Sequence, residues 1–280
     1  MPRSRAFKQV DVFTAVPYRG NPVAVVLDGE GLSDAEMQAF ANWTNLSETT
    51  FVLPATEPGA DYRVRIFTPK AELPFAGHPT LGTAHAVLEA GLARARQGRL
   101  VQQCAVGLVE LEVTGDGLSF RLPRHSLTTL ADPEVTAWLG EGVELIGEAK
   151  AVDVGPVWLV AELADVAALE SLDHDPARLT RYYEATGMTG ATVFAVEGER
   201  VVVRSFAPGD GIPEDPVCGS GNGAVAAFRL AAGQVGDGGS YLASQGRQVG
   251  RDGKIAIRIE GIDIHVGGQC VTCIEGMVAL

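Results

Sequence analysis

Apolar and polar residues alternate in many short stretches of this 280-residue chain. In 108–113 and 255–259 apolar side chains recur at every second position. Such alternation is typical of strands with one buried face. Two other stretches, 80–90 and 223–232, are rich in alanine and apolar on nearly every side, which is typical of buried helices. The pattern therefore predicts sheets that curl around internal helices.

An internal repeat with a period of about half the chain organises these elements. Val64-Arg65-Ile66-Phe67-Thr68-Pro69 resembles Val203-Arg204-Ser205-Phe206-Ala207-Pro208. A turn follows each copy, Pro74-Phe75-Ala76-Gly77-His78 in the first and Pro216-Val217-Cys218-Gly219-Ser220 in the second. The same alignment places Gly190 opposite Glu48. Upstream, 21–24 is weakly echoed by 155–158. The repeat indicates a duplicated unit, with a boundary near 123–129.

Each half predicts the same order of elements: a strand, an amphipathic helix, two strands, an alanine-rich helix and further strands. The predicted helices are 33–44, 80–90, 176–186 and 223–232. The predicted strands of the first half are 22–27, 50–53, 62–68, 99–105, 107–114 and 117–122. Those of the second half are 157–161, 192–196, 201–207, 240–244, 254–260 and 262–266, followed by a strand within 267–274.

Composition and charge narrow the classes of function. The chain is 46% hydrophobic and 20% charged, as in ordinary globular proteins. Its formal net charge is -13 and its basic residues are scattered, which argues against nucleic acid and anionic membrane surfaces as partners. No apolar run is long enough to span a bilayer, and the first ten residues lack the apolar core of a signal peptide. We therefore expect a cytoplasmic protein.

Sequence motifs point to no cofactor. Four cysteines in a chain of this size do not suggest a disulfide framework. Cys270 and Cys273 form one C-x-x-C without a second pair or nearby histidines, so we interpret them as packing residues of a strand. The chain contains no Walker loop, Rossmann fingerprint or H-E-x-x-H motif. We expect no metal and no nucleotide cofactor.

The two repeated turns predict an anion site. Each places a glycine, Gly77 or Gly219, just before a buried helix. The first N–H groups of a helix have no internal partner and carry positive potential, so they bind carboxylates or phosphates. If the two halves face each other, both helix starts would meet across one cleft and favour a small anionic substrate. The alternative is that both glycines only permit tight packing.

Glu48 is the leading candidate for acid/base chemistry. Its neighbours Leu46, Phe51 and Val52 are apolar and would bury it, which favours the protonated carboxyl that a general acid needs. Because Gly190 stands opposite it in the repeat, one proton-shuttling group is predicted rather than a symmetric pair. The alternative is a solvated loop acid.

The other candidates cluster at the two turns. His78 would bind substrate or relay a proton, or else be structural. Ser220 would hold a substrate carboxylate with its hydroxyl and backbone N–H, or else cap the helix. Asp215 lies close to the start of the second helix, where it would otherwise cap the helix or form the turn. Cys218 directly precedes Gly219 and is either a packing residue or a reactive thiol. Its counterpart is Ala76, so a mechanism with two thiols is not available.

With these residues identified, the chain resembles the PhzF-like family of phenazine biosynthesis. The matching segments occur in the family's order over nearly the whole chain. They are Asp11-Val12-Phe13-Thr14, Gly20-Asn21-Pro22-Val23-Ala24-Val25-Val26, Ser47-Glu48-Thr49-Thr50-Phe51-Val52, Glu72-Leu73-Pro74-Phe75-Ala76-Gly77-His78-Pro79-Thr80-Leu81-Gly82 and Glu214-Asp215-Pro216-Val217-Cys218-Gly219-Ser220-Gly221-Asn222.

The resemblance implies a fold and an assembly. The fold class is α+β, diaminopimelate-epimerase-like, with two pseudo-symmetric domains that are each a curled mixed sheet around a central helix. The first domain would comprise 1–122 plus 268–280, because the C-terminal tail of such proteins crosses back, and the second would comprise 123–267. The resemblance also implies a homodimer.

It further implies a cofactor-independent isomerase that moves a proton within a small carboxylate similar to trans-2,3-dihydro-3-hydroxyanthranilate. On that pattern Glu48 takes a proton from one ring carbon and returns it to another. His78, Asp215 and Ser220 hold the substrate, and the amides of Gly77, Gly219 and Ser220 form the anion site.

The chain also departs from the phenazine enzyme's pattern. Cys218 stands where that enzyme has a threonine, and Gly221-Asn222 replaces an Ala-His pair. The Cys-Gly-Ser-Gly run is closer to related epimerases. Two alternatives therefore remain open: an amino-acid racemase or epimerase that uses Cys218, and a non-catalytic protein that binds a small anion.

Overall fold

The computed structural model describes residues 3–130, 137–140 and 142–280. The chain divides into two compact units. Unit 1 comprises Met1–Phe120 and Gly267–Leu280, and unit 2 comprises Arg121–Val266. Within the described ranges, every helix is too short or too polar to cross a bilayer.

Strands make up most of the regular structure. The strands are β1 (Ser4–Val12), β2 (Asn21–Val26), β3 (Glu48–Leu53), β4 (Tyr62–Phe67), β5 (Glu72–Leu73), β6 (Arg99–Cys104), β7 (Gly107–Thr114), β8 (Gly117–Arg121), β9 (Ser126–Thr129), β10 (Lys150–Asp153), β11 (Val157–Glu162), β12 (Gly190–Glu197), β13 (Arg200–Ala207), β14 (Ile212–Asp215), β15 (Ser240–Gln245), β16 (Gly253–Glu260), β17 (Asp263–Gly268) and β18 (Cys270–Ala279). The α-helices are α1 (Asp34–Thr44), α2 (Gly77–Glu89), α3 (Val166–Glu170), α4 (Pro176–Thr186) and α5 (Gly219–Ala231).

Both units pair their strands in the same order, as the repeat predicts. In unit 1, β2 runs parallel to β3, β3 antiparallel to β4, β4 parallel to β6, and β6 antiparallel to β7. In unit 2, β11, β12, β13, β15 and β16 follow the same sequence of parallel and antiparallel pairings. The pairing register shifts the correspondence between 21–24 and 155–158 by one residue. Val23 lies opposite Glu48 and Trp158 lies opposite Gly190, so Val23 corresponds to Trp158 rather than to Val157.

The two buried helices begin earlier than the sequence pattern predicts. α2 begins at Gly77 rather than at residue 80, and α5 begins at Gly219 rather than at residue 223. Pro79 is tolerated in the first turn because its missing N–H would have no helical partner in any case. Gly82 brings α2 into close contact with the sheet, since a Cβ there would lie 2.3 Å from Cγ1 of Val23.

The last strand belongs to the sheet of the first. β18 pairs antiparallel with β1 from Ser4 opposite Ala279 to Val12 opposite Cys270. β1 pairs with β2 along its other edge. The register shifts between Gln9 and Val10, and Cys273 is the extra residue of β18 at that shift. Burial raises the pKa of the Cys270 thiol to about 12, which keeps it protonated.

Candidate active site

Glu48 and His78 lie side by side in unit 1. Glu48 is the first residue of β3 and His78 is the second residue of α2. Oε2 of Glu48 lies 3.2 Å from Nε2 of His78, and the two side chains are only 13% and 7% exposed. A hydrogen bond between the hydroxyls of Thr50 and Thr83, 2.8 Å long, holds the same strand against the same helix. Packing of α2 on β3 therefore brings the acid and the imidazole together.

His78 is a neutral imidazole near neutral pH. Burial lowers the pKa of His78 to about 3, although its ring donates a hydrogen bond to the carbonyl of Pro22. A neutral imidazole has one N–H, and that N–H is given to the Pro22 carbonyl. The nitrogen that faces Glu48 is consequently an acceptor. This arrangement suits a carboxyl group that takes up a proton and gives it back.

The first turn of α2 has no side-chain cap. The residue at the cap position is Ala76, which offers no hydrogen-bonding atom, and Pro79 has no N–H. Gly77 lies tightly against the sheet, because a Cβ there would come within 2.9 Å of Cζ of Phe120. No capping side chain therefore satisfies the amides of this turn.

Asp215, Cys218 and Ser220 lie together in unit 2. The Cys218 side chain caps α5 by accepting a hydrogen bond from the N–H of Gly221, with Sγ 3.3 Å from the nitrogen. The Cys218 thiol is also hydrogen-bonded to the Asp215 carboxyl. Oγ of Ser220 lies 3.6 Å from Sγ of Cys218. A carboxyl, a thiol and a hydroxyl therefore form one contiguous polar cluster at the start of the helix.

Asp215 titrates close to neutrality. Burial raises its pKa to about 6. Hydrogen bonds from the Val217 amide, 3.0 Å long, and from the Cys218 thiol act in the opposite direction, and the charge of Glu214 adds to the rise. Asp215 therefore carries a proton under mildly acidic conditions.

Replacing Asp215 by Asn is expected to stabilise the protein at alkaline pH. Between the ordinary aspartate pKa of 3.8 and the folded value of about 6, the folded state holds a proton that the unfolded state has lost, so the stability supplied by Asp215 falls as pH rises. Asp215→Asn should raise the free energy of unfolding by about 2 kcal/mol at pH 8 and by little at pH 3.5. Urea unfolding at both pH values measures this, with exposed Asp173→Asn as control. Equal effects at both pH values would contradict it.

A duplicated ion pair supports both turns, and the sequence analysis missed it. Nε and Nη2 of Arg65 donate to the two carboxylate oxygens of Glu72 at 2.7 and 2.6 Å. Arg204 does the same to Glu214 at 3.0 and 2.9 Å. Each guanidinium also lies about 5 Å above the ring of the phenylalanine two residues on, at 5.0 and 5.1 Å. The signal was present, because both copies of the repeat read Arg-x-Phe with a glutamate before the turn.

Gln245 is a further residue that the sequence analysis missed. Its Oε1 accepts from the Cys218 amide at 3.1 Å and from Nδ2 of Asn222 at 2.7 Å. Its Nε2 donates to the Asp215 carbonyl at 2.9 Å. One side chain from β15 thus fixes the turn between Asp215 and Cys218. No repeat or motif marks Gln245 in the sequence.

The candidate residues form two groups. Glu48, Gly77 and His78 belong to unit 1, and Asp215, Cys218, Gly219 and Ser220 belong to unit 2. In the described part of the chain, no three His, Cys, Asp or Glu side chains are grouped as metal ligands.

Two units with the same strand order, each with candidate residues in or beside the first turn of a buried helix, define a protein of the diaminopimelate-epimerase-like fold. The family model of phenazine biosynthesis-like proteins, PhzC-PhzF, matches residues 10–276, and the chain belongs to this family. Both the predicted fold class and the predicted family are confirmed.

Relatives and solved structures agree with this assignment. The chain is 39% identical to antisense-enhancing sequence 1 of Schizosaccharomyces pombe, over 97% of each chain. It is 34% identical to the trans-2,3-dihydro-3-hydroxyanthranilate isomerase of Pseudomonas chlororaphis, over 97% of this chain and 98% of that one. A Bacillus anthracis PhzF-family crystal structure has a TM-score of 0.88 at 22% identity, covering 99% of this chain and all of that one. The relationship supports an isomerase as the class of enzyme.

Proposed function

We propose that this chain is a cofactor-independent isomerase that moves a proton within a small carboxylate similar to trans-2,3-dihydro-3-hydroxyanthranilate. The observation that carries the proposal is the 3.2 Å contact between the carboxyl of Glu48 and the neutral imidazole of His78. The relative from Pseudomonas chlororaphis carries the name of that isomerase, and this supports the same class of substrate here.

Glu48 is the proton carrier in this proposal. Its carboxylate takes a proton from one substrate carbon, and the electron pair of that C–H bond enters the neighbouring double-bond system. The protonated carboxyl then gives the proton to a second carbon, so the product is an isomer and no external oxidant or reductant is required. His78 accepts a hydrogen bond from the protonated carboxyl and holds it in place between the two transfers.

The unit 2 residues hold the substrate in this proposal. Ser220 and the amides at Gly219 and Ser220 bind the substrate carboxylate at the start of α5. Asp215, which carries a proton below a pH of about 6, donates a hydrogen bond to a substrate oxygen.

Proton exchange in D2O tests the proposed function directly. Purified protein is incubated with a panel of small carboxylates that includes trans-2,3-dihydro-3-hydroxyanthranilate, and loss of C–H signals is followed by NMR. We expect exchange or isomerisation of at least one member, and its loss in the Glu48→Gln variant. Exchange that persists in the variant would exclude Glu48 as the proton carrier. Tight binding of a carboxylate without any exchange would favour a non-catalytic anion-binding protein.

Cys218 supports a second candidate, an amino-acid racemase or epimerase. The observation that favours it is the thiol at the start of α5, in hydrogen-bond contact with the titratable Asp215. Against it, the corresponding residue in unit 1 is Ala76.

Replacing Cys218 by Ser separates the two candidates. Serine keeps an oxygen that caps the helix but is a far poorer acid/base group than a thiol. If the isomerase proposal is correct, Cys218→Ser should change kcat by less than about 10-fold, because the helix cap is retained. A racemase would lose about 10²-fold or more in α-proton exchange on amino acids, measured by NMR in D2O. Such a loss, with Glu48→Gln fully active, would establish the racemase instead.

We also propose that the enzyme acts as a cytoplasmic homodimer. The homodimer is what the resemblance to the PhzF-like family implies. Light scattering on the eluting peak of a gel-filtration column tests the assembly, since two copies of the 29.4 kDa chain would give about 59 kDa, which is twice the mass of one chain.

A further inference from the structure

In unit 2, Trp158 lies opposite Gly190, the residue that corresponds to Glu48 of unit 1. Glu48 lies opposite Val23 in unit 1, whereas Gly190 lies opposite Trp158 in unit 2. A Cβ on Gly190 would come 2.5 Å from Cζ3 of Trp158 and 2.4 Å from the carbonyl oxygen of Phe206. The indole thus occupies the space in which a side chain at 190 would begin. Unit 2 has a tryptophan where unit 1 has room for a glutamate.

The indole N–H is directed at a residue of the site. Nε1 of Trp158 donates a hydrogen bond to Oγ of Ser220 at 3.2 Å, and Trp158 is only 3% exposed. An indole N–H can donate but cannot accept. Oγ of Ser220 is therefore the acceptor in this contact, and the hydroxyl proton of Ser220 must point toward a different acceptor.

Within the protein, the Ser220 hydroxyl proton faces a poor acceptor, Sγ of Cys218. Sγ of Cys218, at 3.6 Å, already accepts from the Gly221 amide, and its own proton is given to Asp215. Sulfur accepts weakly, whereas a carboxylate oxygen forms a short, charge-assisted bond with a hydroxyl. A hydroxyl that is fixed as a donor and lies beside the amides at the start of a helix is arranged to meet an anionic oxygen.

We propose that Trp158 is a positioning residue that fixes the Ser220 hydroxyl as a hydrogen-bond donor to the substrate carboxylate. The inference rests on the proposed function, in which Ser220 binds that carboxylate. It adds that the indole N–H sets the direction of the bond, and that the duplication has given unit 2 a binding role in place of a second proton carrier.

A double-mutant cycle with Ser220 tests the inference. Steady-state kinetics on trans-2,3-dihydro-3-hydroxyanthranilate are measured for Trp158→Phe, Ser220→Ala and the double variant. Losing one bond to the substrate in both the ground state and the transition state should raise KM about 5- to 10-fold and leave kcat within about 2-fold. Trp158→Phe should have no further effect once Ser220 is alanine, because both changes remove the same bond.

Two further variants separate the N–H group from the bulk of the ring. Trp158→3-benzothienylalanine keeps the ring shape and removes only the N–H, and it should raise KM as Trp158→Phe does. Trp138→Phe is the matched control, since Trp138 is a fully buried tryptophan of the unit 2 core that packs on Phe206. It should leave KM unchanged.

The possible outcomes distinguish the inference from the function on which it rests. A KM that rises with Ser220→Ala but not with either change at Trp158 would overturn the positioning role alone. A Trp158→Phe effect that persists in full beside Ser220→Ala would also overturn it. No exchange or turnover of any carboxylate of the panel by the wild-type chain would overturn the proposed function, and the inference with it.

Discussion

Replacing Glu48 by Gln is expected to lower kcat about 10³-fold, within the range that general acid/base groups contribute. Glutamine has nearly the same shape as glutamate, so the packing of β3 against α2 should survive. Its amide cannot take up and return a proton, and its NH₂ group can still donate to the acceptor nitrogen of His78, 3.2 Å from Oε2 of Glu48. We therefore expect a folded protein that binds substrate and does not turn it over.

Two measurements accompany this variant. Glu48→Asp should be partly active, because the carboxyl group is retained but displaced by one methylene. Glu57→Gln, at an exposed glutamate of the same unit, should match the wild-type chain. Rates are followed by product formation and by deuterium incorporation in D2O. If Glu48→Gln and Glu57→Gln have the same kcat, the proton carrier is another group.

Replacing Arg204 by Ala is expected to cost about 3–5 kcal/mol of stability, because it leaves the Glu214 carboxylate buried without its partner. The side chains of Arg204 and Glu214 are 6% and 9% exposed. Arg204 also donates to the carbonyls of Leu169 and Leu172, at 3.1 and 2.8 Å. Both carbonyls would lose a charged donor at the same time.

The repeat supplies a matched control for this prediction. Arg65 makes the same two-fold contact with Glu72, but these side chains are 23% and 38% exposed. Arg65→Ala should therefore cost only about 1 kcal/mol or less. Urea unfolding followed by circular dichroism measures both losses. Equal losses for the two variants would show that burial does not decide the strength of this ion pair.

Helices with explicit end signals could be predicted from the sequence to within one residue. α4 begins at Pro176, with Asp175 as its cap, and ends before Gly187 in the left-handed conformation, as predicted. α1 has a capping box between Ser33 and Glu36. The buried helices lack such signals, since Ala76 offers no cap and Cys218 is an unusual one. Their starts were predicted three and four residues too late for that reason.

The candidate site could be predicted as a set of residues but not as a set of contacts. Glu48, His78, Asp215 and Ser220 stand at repeated positions, which the sequence makes visible. The contact between Glu48 and His78 spans thirty residues and depends on how α2 packs against β3. The contact between Trp158 and Ser220 spans 62 residues, and a tryptophan within an apolar strand has no local mark of a polar role. Such pairs form only when segments that are far apart in the sequence pack against each other.

The position of β18 in the sheet also has a consequence for synthesis of the chain. A ribosome releases a chain from its N-terminus, so unit 2, which is continuous from Arg121 to Val266, has emerged before β18. β1 leaves the ribosome before unit 2, yet its partner along one edge is Cys270–Ala279. That edge of β1 carries unpaired amides throughout elongation, and unpaired edges are prone to wrong pairing. The half that carries Glu48 is therefore made first and completed last.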